Sequence, residues 1–194
     1  GRAFAQALSR KMVTIASTRE GEDELFIQAI QKQIGRAQSQ GVLLEEQVLF
    51  CLVPRHPQRF DEVAKKLESA GLSYMRRSAF VQTGEMSAVN ARMITQGRKL
   101  VLLGDSIGEM PRYYAASHVA IIAGSFLPFG GQNLIEACAT GVPVLVGPHT
   151  ENFSQAVFDA IQEGAALRVP TAEAAVQQAL TLLDEPQRLS RIYD

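Results

Sequence analysis

Residues 118–147 read "HVAIIAGSFLPFGGQNLIEACATGVPVLVG", and the order of their parts decides the fold. "HVAIIAG" and "VPVLVG" are apolar runs of the length expected for strands covered on both faces. Between them lie a glycine-bearing polar loop and a short helix that begins at about Gln132 or Asn133. Gly141 stops that helix and Pro143 prevents it from restarting. Strand, helix and strand in this order imply a right-handed parallel crossover.

The same beat runs outward in both directions. Upstream, "MVTIAS" is a β-branched strand, followed by a helix from about Glu22 that fades before Gly41. "VLFCLV" is a second strand, and Pro57 opens a helix with an apolar stripe at Phe60, Val63, Ala64 and Leu67 that Gly71 ends. "LSYMRR" and "KLVLLG" read as strands, and "PRYYAAS" as a helix. The segment 83–97, "TGEMSAVNARMITQG", shows no clear period and is expected to be a long irregular connection. Downstream come a helix from Ser154 to about Glu163, a short strand "ALRV", and a closing helix from Thr171 to about Leu183. This is an α/β pattern: one Rossmann-like open parallel sheet of about six strands with helices on both faces. Residues 1–11 read as a linker or the tail of a preceding element, and residues 12–194 as the domain.

Composition narrows the function classes. The 194 residues carry 19 basic and 20 acidic side chains, a balance that argues against nucleic acid as a partner. No apolar stretch reaches the roughly 18 residues needed to span a bilayer, the run 119–129 being broken by Gly124 and Pro128. Cys51 and Cys138 sit in apolar runs and form neither a zinc pattern nor a disulfide framework, which fits a reducing cytoplasm. The chain opens on Gly1 with no targeting signature, so it is expected to be a soluble piece of a longer protein.

In a sheet of this kind ligands bind beyond the carboxyl ends of the strands. Five loops there are unusually polar: "STREGE", "PRHP", "GDSIGE", "GSFLPFGGQN" and "GPHTENF". Gly130 and Gly131 let backbone approach a ligand, and the helix after them points N–H groups at an anion. Asn133 and Glu136 also have the spacing of a capping box, and the two roles are compatible. "PRHP" holds Arg55 and His56 between prolines, where they offer an anion a planar fork and a donor, or else pair with a surface carboxylate and cap the helix. Ser106 and Glu109 again have capping-box spacing, although Pro111 favours a helix start nearer Gly108. "STREGE" offers Ser17, Thr18 and a flexible Gly21, and "PHTENF" offers His149 and Asn152. There is no spaced-glycine dinucleotide fingerprint, no Walker lysine, no metal-ligand spacing of histidines and no nucleophile elbow, so no cofactor and no metal are expected.

Taken together, "STREGE", "PRHPQRF", "GDSIGEM" and "AGSFLPFGGQNLIEACATGVPVLVGPHTENF" resemble the carboxyl-terminal half of 3-deoxy-D-manno-octulosonic acid (Kdo) transferases, from about Val13 to about Leu183. The resemblance implies one half of a GT-B glycosyltransferase, the half that binds the donor CMP-Kdo. The acceptor would be a lipid A precursor, met through an amino-terminal domain lacking here. Transfer would be inverting and metal-independent, at the cytoplasmic face of the bacterial inner membrane, with membrane contact made only by the full-length protein. The positions that match are Ser17, Thr18, Arg19, Glu20, Gly21 and Glu22, Arg55 with His56, and Asp105 with Gly108 and Glu109. Ser125, Gly130, Gly131, Asn133, Glu136 and Asn152 complete them, and Gln132 among them is a substrate-binding candidate that departs from the pattern. Glu136 would bond the ribose hydroxyls, Arg55 and Glu136 would support departure of CMP, and the general base would be a glutamate of the missing half. Many members carry histidine in place of Gln132 and of Arg19. A UDP-using GT-B enzyme or epimerase, and a non-catalytic nucleotide-binding module, are the alternatives.

Overall fold

The computed structural model describes residues 2–80 and 87–184. Its strands are β1 (Lys11–Thr18), β2 (Val48–Pro54), β3 (Tyr74–Arg76), β4 (Val101–Leu103), β5 (Val119–Ile122), β6 (Val144–Val146) and β7 (Ala166–Arg168). The helices are α1 (Arg2–Ala7), α2 (Glu22–Ser39), α3 (Leu44–Gln47), α4 (Phe60–Ser69), α5 (Ala88–Gln96), α6 (Met110–Ala116), α7 (Ile135–Ala139), α8 (Ser154–Gln162) and α9 (Ala172–Asp184). All strand pairs are parallel and the sheet order is β3-β4-β2-β1-β5-β6-β7. The sheet has seven strands rather than six, because the short outer runs β3 and β7 both find a partner.

The unbroken apolar run of β2 follows from its central place. Val48, Phe50 and Leu52 enter the core under α2, α4 and α9, which contribute Phe26, Ile30, Val63, Leu67 and Val176. Leu49, Cys51 and Val53 enter a core on the opposite face with Phe4, Leu8, Ile94 and Tyr113. Successive residues of a strand point to opposite faces, so a strand covered twice needs apolar side chains at every position. Burial pushes the Cys51 thiol well up, in keeping with a packing role.

Two local expectations change. The segment 83–97 contains a helix, α5, whose start Ser87 caps by accepting a hydrogen bond from the Asn90 amide. Its inward face is Asn90, Ala91 and Ile94, too short and too polar a stripe to stand out as a period, and residues 83–86 lie outside the described residues. The leading stretch folds as α1 and packs against α5, with Phe4 and Leu8 fully buried. Among the described residues no helix is long and apolar enough to cross a membrane.

At the amino end of β5, the His118 amide donates to the Met12 carbonyl at 2.8 Å, and the Met12 amide donates to His118 Nδ1 at 3.2 Å. An acceptor Nδ1 requires neutral imidazole, and burial together with Lys11 lowers the His118 pKa from its ordinary 6.5. The unfolded chain therefore takes up this proton first as pH falls. The contribution is complete above about pH 6.5 and is lost below it. Chemical denaturation between pH 7.5 and 5 is expected to show a loss of stability that is shallower in His118→Asn. Superimposable pH profiles for the two proteins would refute this.

Candidate functional site

The chain builds the β1, β2 and β4 side of the sheet first and then crosses β1 to lay down β5, β6 and β7. That reversal opens a crevice at the carboxyl ends of β1 and β5. Four of the five polar loops meet there. The Arg55 amide donates to the Thr18 carbonyl at 2.9 Å, joining "PRHP" to "STREGE". The Arg19 guanidinium lies over the Phe129 ring, 4.5 Å from its centroid, joining "STREGE" to the glycine loop. The Asn152 amide donates to the Gly130 carbonyl at 3.0 Å, and the His149 amide to the Ser125 carbonyl at 2.9 Å.

Glu22 spans the crevice floor. Its side chain is fully buried; Oε2 accepts from the Gly124 amide at 2.7 Å and the Arg19 amide at 2.9 Å, and Oε1 from the Phe126 amide at 2.9 Å. The neighbouring Asp23, also fully buried, accepts from Thr18 Oγ1 at 2.6 Å and pairs with the buried guanidinium of Arg59. Acids in the first turn of a helix commonly serve only its dipole. These two instead tie α2 to the ends of β1, β5 and the α4 entry. The sequence marks Glu22 only as a helix start and a position matched by the resemblance, and it gives Arg59, within "PRHPQRF", no role of its own. The one signal available was a pair of acids directly after the loop glycine Gly21, whose φ is +86°.

Several expected ligand groups prove to be occupied within the protein. The Thr18 hydroxyl is committed to Asp23. Ser125 is fully buried, donating to the Ile122 carbonyl at 2.6 Å and accepting from the Gly147 amide at 2.8 Å, so it joins β5 to β6. Asp105 accepts from the Ser78 amide at 2.7 Å and the Ser78 hydroxyl at 2.6 Å, with Arg76 Nε 2.9 Å away. Glu109 accepts from Arg77 at 2.6 Å and Arg112 at 3.1 Å. Burial works to raise the Glu109 carboxyl, but hydrogen bonds from Ser106 and Arg77 and the positive charge around it hold it below the usual range. The bonds of Asp105 and Glu109 thus tie "GDSIGE" to the turn 76–78 rather than to the other loops.

Neither capping box forms. Ser106 Oγ bonds the Tyr113 hydroxyl at 2.6 Å, and α6 starts only at Met110, which puts Pro111 harmlessly in its first turn. Likewise α7 starts at Ile135, later than expected, and Asn133 Oδ1 accepts from the Ile135 amide at 2.9 Å in a local turn. The glycine pair has φ of +83° at Gly130 and +88° at Gly131. A β-carbon on Gly130 would collide with the Asn152 side chain, and one on Gly131 would sit 3.2 Å from the His149 carbonyl. The glycines are thus demanded by loop packed on loop, not by a ligand filling that space.

The other expected residues are less engaged within the protein. Arg55 is exposed and makes no ion pair or side-chain hydrogen bond among the described residues. His56 has the extended backbone its following proline favours, φ −114° and ψ 128°, and does not cap the helix. Ser17 holds a left-handed backbone, φ 61°, where the β1–β2 register shifts. The exposed Glu20 reaches Arg19 at 3.4 Å. Gly108, Glu136 and Asn152 are exposed, and Gln132 is half-buried over Gly124. The Gly131 amide donates to the Gly124 carbonyl at 2.7 Å, whereas the next three amides, of Gln132, Asn133 and Leu134, make no hydrogen bond among the described residues. Consecutive amides without a partner are an arrangement that can bind an anion. A cleft of about 1020 Å³ lies instead at the amino ends of the strands, lined by Arg10, Lys11, Gln33 and His118 among others.

Fold and site together define a doubly wound α/β domain with its ligand crevice at the topological switch point. No protein-family model matches the chain. It is 53% identical over 97% of its length to a 3-deoxy-D-manno-octulosonic acid transferase of Bordetella pertussis, covering 40% of that protein. Against the Haemophilus influenzae transferase the identity is 32%, over 87% of this chain and 35% of the relative. The chain thus spans about two fifths of the curated relatives it matches. The carboxyl-terminal CMP-Kdo binding domain of WaaA from Acinetobacter baumannii superposes with a TM-score of 0.78 at 30% identity, over 100% of this chain and 97% of that one. A UDP-forming trehalose-phosphate synthase of Burkholderia xenovorans, 14% identical with a TM-score of 0.52, shares the fold alone. The chain belongs to the 3-deoxy-D-manno-octulosonic acid transferase family, and along its whole length it matches the Acinetobacter carboxyl-terminal domain.

The occupied residues make their own prediction. Ser125→Ala leaves the buried Gly147 amide without its acceptor, at a cost of roughly 1–3 kcal/mol. Urea denaturation is expected to register that loss, and an unchanged midpoint would refute the assignment of Ser125 to the scaffold.

Proposed function

We propose that this chain is the donor-binding domain of a transferase that moves Kdo from CMP-Kdo to a lipid A precursor in lipopolysaccharide assembly. The reading rests on one observation: the end-to-end likeness to an Acinetobacter domain described as binding CMP-Kdo. The open groups of the crevice are in keeping with it. A nucleoside monophosphate presents an anion, two ribose hydroxyls and a base; the amides of Gln132 to Leu134 with Arg55 suit the first. The carboxylate of Glu136 suits the ribose hydroxyls.

Transfer breaks the bond between the anomeric carbon of Kdo and a phosphate oxygen, and negative charge builds on the departing CMP. Fixed amides and a guanidinium stabilise that charge as it forms. The same reading assigns Ser17, Arg19, Glu20, Gly21, His56, Gly130, Gly131 and Asn152 to the surroundings of the nucleotide, and Gly108 to its outer edge. The acceptor and the base that activates it belong to an amino-terminal domain of the full-length protein. We place that protein at the cytoplasmic face of the inner membrane.

Two measurements test the reading. NMR titration of this chain is expected to show CMP, and not UDP, shifting the amides of Gln132 to Leu134; preference for UDP would overturn it. In the full-length enzyme, Arg55→Ala and Glu136→Ala are each expected to lower turnover by about a hundredfold or more while the protein stays folded. Near-normal rates in both variants would remove those two residues from the site.

A further inference from the structure

We infer that Glu22 is a positioning residue that sets the phosphate-binding amides of the crevice without touching the nucleotide. The inference rests on the donor-binding role proposed above.

The geometry forms a short chain of bonds. Glu22 Oε2 accepts from the Gly124 amide at 2.7 Å, and the carbonyl of the same Gly124 accepts from the Gly131 amide at 2.7 Å. Glu22 Oε1 accepts from the Phe126 amide at 2.9 Å, between those two points. The loop 124–131 is therefore held at its start by the carboxylate and closed on itself at its end. The next three residues carry the open amides. A carboxylate fully shielded from water, with three backbone donors and, among the described residues, no cation bonded to it, is a costly choice for a scaffold. The same loop could be held by neutral groups, as Ser125 holds the ends of β5 and β6. What the carboxylate adds is acceptance on both oxygens from both sides of the switch point, "STREGE" and the glycine loop together. Gly124 has φ +72°, and a β-carbon there would meet Gln132 Cγ at 2.7 Å, so the loop cannot shift without disturbing the residue that begins the open run.

Positioning and plain electrostatics predict opposite signs. Removing a negative charge near a phosphate site tightens phosphate binding if charge alone matters. In Glu22→Gln one oxygen becomes an NH₂ group, which cannot accept from a backbone amide, so the clamp opens on one side. We expect Glu22→Gln to bind CMP at least about tenfold more weakly than the wild type. Exchange of the Gly131 amide should be faster, and the thermal transition should remain cooperative. CMP affinity equal to or tighter than wild type would overturn the role of Glu22 and leave the donor-binding role standing. Failure of the wild-type chain to bind CMP at all would overturn both. Should the variant fail to fold, the wild type decides: CMP is expected to slow exchange at Gly124, Phe126 and Gly131, and unchanged exchange at these amides on saturation would overturn the inference.

Discussion

The structure depends on how it closes the gap between β1 and β5. Where a parallel sheet reverses its winding, the two loops that leave the strands diverge, and their backbone amides turn toward a floor that water does not reach. Buried amides without acceptors are costly, so something must satisfy them. Glu22 does this with both carboxylate oxygens, binding Gly124, Phe126 and Arg19. Asp23 beside it turns the other way, to Thr18 and Arg59. Two adjacent acids at one helix start thus fasten α2 to elements on either side of the switch point.

With the floor fixed, the rim is assembled by close approach. The missing β-carbons of Gly130 and Gly131 admit Asn152 and the backbone at His149, locking the loop after β5 to the loop after β6. Gly147 serves the same end beneath, since a β-carbon there would strike the backbone of Ser125. The polar residues consequently divide into two sets. Thr18, Asp105, Glu109 and Ser125 spend their hydrogen bonds inside the protein. The side chains of Arg55 and Glu136 and the amides of Gln132 to Leu134 make no hydrogen bond among the described residues. Such a division suits a preorganised electrostatic site, in which the groups that meet charge do not have to move when it develops.

A cleft of about 1020 Å³ lies at the amino ends of the strands, yet the chemistry argues for the crevice. Size measures how badly elements fit together at a sheet end. A binding site needs convergent groups that the protein has not already satisfied.

The sequence by itself determined the α/β alternation, the parallel sheet and the loops that would carry the site, because strand and helix periods and glycine or proline stops are local properties. It also held the family resemblance, carried by loop motifs that stand contiguous in the chain. It did not reveal α5, whose buried face is Asn90, Ala91 and Ile94, nor the pairing of β3 and β7, since short edge strands form only when a neighbour offers them a ladder. The spacings of Asn133 with Glu136 and of Ser106 with Glu109 read as helix caps, but each helix starts later, where the loops leave it. Only the tertiary structure decided which polar side chains are bound within the fold and which stay open. That choice depends on partners such as Glu22 and Gly124, which lie 102 residues apart in the chain and meet only across the closed sheet.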